Sequence, residues 1–382
     1  MVAVPFRIEV PDEVLDDLRA RLRVTRFGEP SDDAPWRAGA DPAYLMDLVT
    51  TWATTFDWRE HEDRINQYRH EVAQIRGRRL HFVRVPAVRG ADAPPTAPIL
   101  LCHGWPSSFL EMLSLADRLA DPARFGANPS PAFDVVVPSM PGFLYSEPVE
   151  GPATREAFAQ TLHELMTGVL EVQRYGAFGG DIGGVTVGWL GALHHDHVVG
   201  IHMIHPPFPA TFDDRPVSPA EQAYLDAEAA YDEGDRGYSE IMGTRPDTIA
   251  AGLIDSPVGL AAWIVDKFRD WSDCGGEIER RFDRDTILTV LTLYWATGSI
   301  ATSFRPYYDF THNSPRPRIT VPAAFTLSHE PSMAGFPREI AERACTDIRH
   351  WSEPGRGGHF LPIEEPDLMA AELRHFFGSL AT

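Results

Sequence analysis

From Ile99 onward the chain repeats one pattern: a short, almost unbroken apolar run, a helix-length segment, then another such run. ILLC (99–102), FDVVVP (133–138), YGAFGG (175–180) and GIHMIH (200–205) are the first four runs. A strand apolar on both faces is buried on both faces, and each gap is long enough to return over the sheet as a helix. The pattern predicts a mostly parallel sheet covered on both sides, an α/β architecture. After Pro206 the rhythm stops, and residues 207–300 are acidic, aromatic and helical in period, without a strand candidate. Strand patterning resumes in RITVPAAFTL (318–327) and DIRHW (347–351), and a helical run through Leu368, Leu373 and Phe376 closes the chain. A sheet interrupted in this way predicts a core with a helical cap over its active edge.

Residues 1–95 read differently. One amphipathic helix is predicted through Val14, Leu15, Leu18 and Leu22, and a second through Tyr44, Leu45, Leu48, Val49 and Trp52. A loop rich in Asp, Pro and Gly (28–42) joins them. GRRLHFVRV alternates as a strand does before the Pro/Ala-rich turn VRGADAPPTAP. The expected division is an N-terminal domain (1–95), a first core part (96–206), a cap (207–300) and a second core part (301–382).

The sharpest local motif is Gly179-Gly180-Asp181-Ile182-Gly183-Gly184, where a buried strand gives way to a helix. A nucleophile elbow needs small residues two before and two after the nucleophile, and Gly179 and Gly183 stand there around Asp181. A carboxylate in place of the usual serine can attack a saturated carbon and form an alkyl ester. Taken alone, the hexapeptide also fits a Gly-rich turn with Asp as helix N-cap. His103-Gly104-Trp105-Pro106 directly follows the strand ILLC, where this fold draws one backbone N–H of its oxyanion hole. Trp105 and Ile182 are the expected donors. Arg356-Gly357-Gly358-His359-Phe360 comes after the last strand, and nucleophile, acid, histidine is the α/β-hydrolase order. His359 is the expected base for the water that hydrolyses the ester, with an acid to orient it. The acid should follow RITVPAAFTL: Glu330 comes first, and Asp347 and Glu353 are the alternatives. His194, His195 and His197 lie near a helix C-terminus, where favourable contact with the helix dipole explains them without a metal.

These motifs, together with PFRIEVPDEVLDDLRARL, FDWREHEDRIN, HGWPSSFLEM, PSMPGFLYSEP, DSPVGLAAWIVDKF, LYWATGSI and RGGHF followed by EEPDL, resemble the epoxide hydrolases of the microsomal type and their soluble bacterial relatives. The resemblance runs over nearly the whole length. It implies an α/β-hydrolase fold with a helical cap and an N-terminal meander domain, and a chain that begins beyond the apolar anchor of the membrane-type members. It places nucleophile, base and oxyanion-hole tryptophan on Asp181, His359 and Trp105. It adds two cap-side tyrosines that hold the epoxide oxygen, Tyr238 and Tyr307, with neighbouring Tyr308 as the alternative at the second position. By composition alone, each reads as amphipathic packing. The family's acid lies in a Phe-Pro-x-Glu-like stretch; here the residues are LSHEPS, which displaces Glu330 by one position.

The reaction implied is opening of an epoxide to a vicinal diol through an Asp ester, with water as co-substrate and no cofactor or metal. A bulky or aromatic epoxide is the expected substrate, as in bacterial natural-product (enediyne-type) pathways or detoxification. Trp263, Phe268, Trp271 and Trp295 are expected to shape the pocket, although core packing explains them equally well. A haloalkane dehalogenase uses the same nucleophile, but such enzymes commonly place Trp after it, where this chain has Ile182. A non-catalytic ligand-binding homologue is the remaining alternative, and a homodimer is compatible with the family.

The net charge of −21 opposes nucleic acid and anionic membrane surfaces as partners. The sequence lacks an uninterrupted apolar stretch of about 18 residues, and its N-terminus lacks a basic then apolar leader. Three scattered cysteines (Cys102, Cys274, Cys345) fit neither a disulfide framework nor a zinc site, so a cytoplasmic location is expected.

Overall fold

Nine strands form one sheet in the computed structural model, which describes residues 2–90, 95–127 and 131–380. In chain order they are β1 (Val4–Pro5), β2 (Arg69–Ile75), β3 (Arg78–Val85), β4 (Ile99–Cys102), β5 (Val135–Pro138), β6 (Tyr175–Gly179), β7 (Val198–Met203), β8 (Ala323–Thr326) and β9 (Ile348–Ser352). Across the sheet the order is β1-β2-β3-β5-β4-β6-β7-β8-β9. The pairings among β1, β2, β3 and β5 are antiparallel, and those from β5 to β9 are parallel. The chain runs from β4 outward to β5 and returns to β6 on the other side of β4. Ligands of open α/β sheets bind beyond the strand carboxyl ends at such a reversal.

Every strand predicted from an apolar run is present, most of them trimmed at the ends. RITVPAAFTL contributes only Ala323–Thr326, and Ile319 makes a single bridge to Cys345. Pro322 accounts for the break, since it has no N–H for a ladder. Three features differ from the sequence reading. Residues 1–95 do not stand apart, because β1, β2 and β3 extend the core sheet. β2 is charged and becomes a strand beside β3, and the short β1 pairs in turn with β2. The helical layer also continues past residue 300, through Ile300–Ser303 and Arg305–Tyr308. Gly298, in the left-handed region at φ 62°, turns the chain there without ending the layer. Residues 91–94 of the predicted turn VRGADAPPTAP lie outside the described residues.

The first N-terminal helix, Asp12–Arg23, buries Leu15, Leu18 and Leu22, and the second, Pro42–Thr54, buries Leu45, Leu48, Val49 and Trp52. Their polar ties reach the cap: Trp52 Nε1 donates to Thr292 Oγ1 at 2.9 Å, and Arg284 pairs with Asp47 at 2.6 Å. On the core side of the cap, the buried Arg343–Glu221 pair at 2.6 Å clamps the helix Pro219–Asp235, whose start is a Ser218/Glu221 capping box. The helices between β7 and β8 are thus tied both to the N-terminal helices and to Arg343 of the core. The three cysteines are buried free thiols. Among the described residues no single helix is long and apolar enough to cross a membrane.

Candidate active site

The parallel register lines up the ends of four strands: Cys102 pairs with Gly179, Gly179 with Met203, and Met203 with Phe325. The residues just past these ends therefore meet at one edge. Asp181 opens the helix Asp181–Leu193 with φ 50°, a left-handed backbone that non-glycine residues rarely adopt. The turn is so tight that a Cβ on Gly183 would sit 2.2 Å from the Cys102 carbonyl oxygen. The glycines around Asp181 thus permit the elbow, and the N-cap position belongs to Gly180.

The Trp105 backbone N–H donates to Asp181 Oδ1 at 2.9 Å. Ile182 follows Asp181 in the first helical turn, where backbone N–H groups have no intrahelical acceptor. His359 Nε2 stands 4.0 Å from Asp181 Oδ2, and its Nδ1 meets Glu330 Oε2 at 2.9 Å. Glu330 is the acid the fold brings to the histidine. Asp347 pairs with Arg349 instead, and Glu353 accepts from the Trp351 indole. His329 N donates to the Gly357 carbonyl at 2.7 Å, tying the acid loop to the histidine loop. Glu364 braces the histidine loop by accepting from the N–H groups of Gly358 and Phe360 at 2.9 and 3.1 Å.

Electrostatics follow from burial and these contacts. Burial alone would lower His359, but the charge and hydrogen bond of Glu330, with Asp181 and Glu111, raise it to about 9. Burial pushes the Glu330 carboxyl up, yet the His359 charge and the hydrogen bonds of His205 and His359 hold it well below the usual range. Tyr238 and Tyr307 are pushed above the ordinary phenol value by burial and by Asp181, so both remain protonated donors. The Tyr238 ring stacks on Trp105 at 5.5 Å, and the Tyr307 ring lies 5.9 Å from Trp105 and 6.1 Å from Tyr238. Tyr308 is 54% exposed and does not line the site, which leaves Tyr307 as the second phenol.

Asp181, His359, Tyr238 and Tyr307 open onto one cavity of about 830 Å³. Of the four cap aromatics named from sequence, Trp271 alone lines it; Phe208, Tyr224, Tyr231 and Phe310 supply the other aromatic walls. Phe268 packs on Phe282 and Phe360, Trp263 on Phe304, and Trp295 under Arg21. These three serve packing because their helix faces turn away from the cavity. His103 braces the loop: its Nε2 accepts from Met140 N at 3.0 Å, and its Nδ1 meets the Gly104 carbonyl at 2.9 Å.

Two site groups escaped the sequence reading. Glu111 is buried beside Asp181 and His359 in a small cavity, and burial raises its carboxyl to about 7. Its position eight residues past His103, on the helix Leu110–Ala120, carries no signal without the fold. His205 closes the run GIHMIH and was legible only as the end of a strand. The atoms of His205, Glu330 and His359 lie within 4.8 Å of one another, the reach of a metal site, but both ring-to-carboxylate contacts are hydrogen bonds.

Residues 3–112 match the family described as the epoxide hydrolase N terminus, and residues 97–236 match the alpha/beta hydrolase fold. A Stigmatella aurantiaca protein whose name places it among the epoxide hydrolases is 36% identical over 98% of this chain and 85% of its own. Epoxide hydrolase 1 of Sus scrofa is 31% identical over 98% of this chain and 88% of its own. Among solved structures, juvenile hormone epoxide hydrolase of the silkworm Bombyx mori superposes with a TM-score of 0.88 at 24% identity, covering 99% of this chain and 94% of that one. The Aspergillus niger epoxide hydrolase superposes with a TM-score of 0.83 at 26% identity, covering 98% and 96%. Relatives above 30% identity that align along almost the entire chain decide the family: this protein belongs to the epoxide hydrolases, enzymes built on the α/β-hydrolase fold.

Proposed function

We propose that the protein opens an epoxide to a vicinal diol through a covalent ester on Asp181. One arrangement carries this reading: a carboxylate with one oxygen on a backbone N–H and the other facing His359, below two protonated phenols. Asp181 Oδ2 attacks an epoxide carbon and the C–O bond to the ring oxygen breaks. Tyr238 and Tyr307 donate to that oxygen as it takes on charge, a stabilisation that strengthens in the transition state. Esterification removes the Asp181 charge, one of the causes that hold His359 high. His359 then sheds a proton, which balances the one taken up by the alkoxide, and becomes a base. It deprotonates water as the water attacks the Asp181 carboxyl carbon. The oxyanion forms on Oδ1, held by the Trp105 N–H and supported by that of Ile182. Collapse breaks the bond from the carboxyl carbon to Oδ2, which takes the second proton of the attacking water and leaves with the diol, while the water oxygen stays in the Asp181 carboxylate. The cavity of about 830 Å³ and its aromatic walls support a bulky, aryl-bearing epoxide as substrate.

A single turnover with an aryl epoxide in oxygen-18 water tests the path. The expected label is in the Asp181 carboxylate, with an unlabelled diol on the first turnover. Label confined to the first diol overturns the ester path. Halide release from haloalkanes without any turnover of aryl epoxides would instead favour dehalogenation.

A further inference from the structure

His205 lies two residues past the end of β7, between the strands that deliver Asp181 and the acid. Its ring holds both. The Asp181 backbone N–H donates to His205 Nδ1 at 2.7 Å, while His205 Nε2 contacts Glu330 Oε1. A backbone N–H can only donate, so Nδ1 must be the bare nitrogen, and a neutral ring carries its proton on Nε2. His205 therefore donates to Glu330. Ser328 Oγ donates to the same Oε1 at 2.7 Å, which leaves Oε2 to His359. The two imidazoles stand 4.8 Å apart on one carboxylate.

We infer that His205 is a positioning residue for ester hydrolysis, fixing which carboxylate oxygen serves His359 and tying the acid to the nucleophile elbow. It acts through two others: it holds the Asp181 main chain in its left-handed turn, and it draws electron density from Glu330. The charged groups around the pair are Asp181, Glu330, His359 and Glu111, and His205, whose Nδ1 accepts from the Asp181 N–H, faces Glu330 with Nε2 as donor. This inference rests on the ester mechanism proposed above and adds a residue to its second half.

Single-turnover kinetics with an aryl epoxide, following ester formation and ester decay separately across pH, tests it with three variants. His205→Ala removes both contacts. His205→Asn can return only the acceptor for Asp181 N–H, and His205→Gln only the donor for Glu330. With Ala and with Asn, ester decay should slow roughly ten- to hundredfold, the scale of one hydrogen bond to a charged group. Its pH midpoint should move upward, because Glu330 freed of one donor binds the His359 proton more tightly. Gln should restore the midpoint and the part of the decay rate that depends on Glu330. Equal behaviour of Asn and Gln overturns the inference even if Ala fails to fold. So does a parallel loss of both half-reactions with an unmoved midpoint, which marks a purely structural residue. Absence of any ester in the unaltered protein would instead overturn the ester mechanism itself.

Discussion

Replacing Glu330 with Gln keeps the side chain's shape and removes its charge. Oε1 receives two donors, Ser328 Oγ and the His205 ring, so the new amide oxygen must take that place. Its NH2 group then faces His359 Nδ1, which meets Oε2 at 2.9 Å in the unaltered protein. An NH2 group cannot accept, so the ring proton is driven to Nε2, the atom that should take a proton from water. Loss of the correct tautomer slows such a base by roughly four orders of magnitude. Ester formation needs no base and should survive. Rapid mixing with excess aryl epoxide, followed by intact-mass analysis, should show the variant trapped as one equivalent of ester. A second readout comes from stability. His359 rises from 6.5 to about 9, worth roughly 3 kcal/mol for the charged ring. A folded value above the unfolded one stabilises fully below pH 6.5, and the contribution is lost as pH rises through about 9. The stability gap between the unaltered protein and the variant, read by urea unfolding, should narrow across that window by up to this amount. Diol formation at the unaltered rate, or a gap that does not change with pH, refutes the reasoning.

Tyr238→Phe and Tyr307→Phe should each slow ester formation by about tenfold to hundredfold in stopped-flow, leaving ester decay nearly unchanged, since each removes one donor to a developing alkoxide. An effect confined to decay would remove them from ring opening. Glu111→Gln should shift the pH midpoint of ester decay downward, because Glu111 is one of the groups raising His359. The same variant should be more stable at pH 8 by about 1–3 kcal/mol: the buried carboxyl, raised from 4.5 to about 7, opposes folding once ionised. A destabilised variant with an unmoved midpoint counts against both. Gly183→Ala should abolish soluble expression or turnover, because its Cβ would lie 2.2 Å from the Cys102 carbonyl oxygen; a folded, active variant would disprove the tight elbow.

Much of the site is written locally. The elbow is legible because the steric demand of a left-handed Asp181 falls on residues two positions away, and those are glycines in the sequence. The apolar runs from ILLC to GIHMIH are legible because a strand buried on both faces carries few polar residues on either; His202 is the buried exception in the last of them. The late histidine follows from chain order alone.

What the sequence could not decide is what depends on neighbours far along the chain. Choosing Glu330 over Asp347 and Glu353 required the register of β7, β8 and β9, which sets the loop that reaches His359. Tyr307 and Tyr308 share a motif, and only the seating of their short helix turns one into the cavity and the other to solvent. β2 became a strand because β3 offered it a ladder. Glu111 and His205 look like an ordinary helix residue and a strand end until β4, β6 and β8 bring Asp181 and Glu330 beside them. The Asp181 elbow was therefore determined by sequence, through local steric necessity. The groups that set the charge and direction of its histidine were decided by tertiary structure, because hydrogen bonds between loops obey strand register rather than residue spacing.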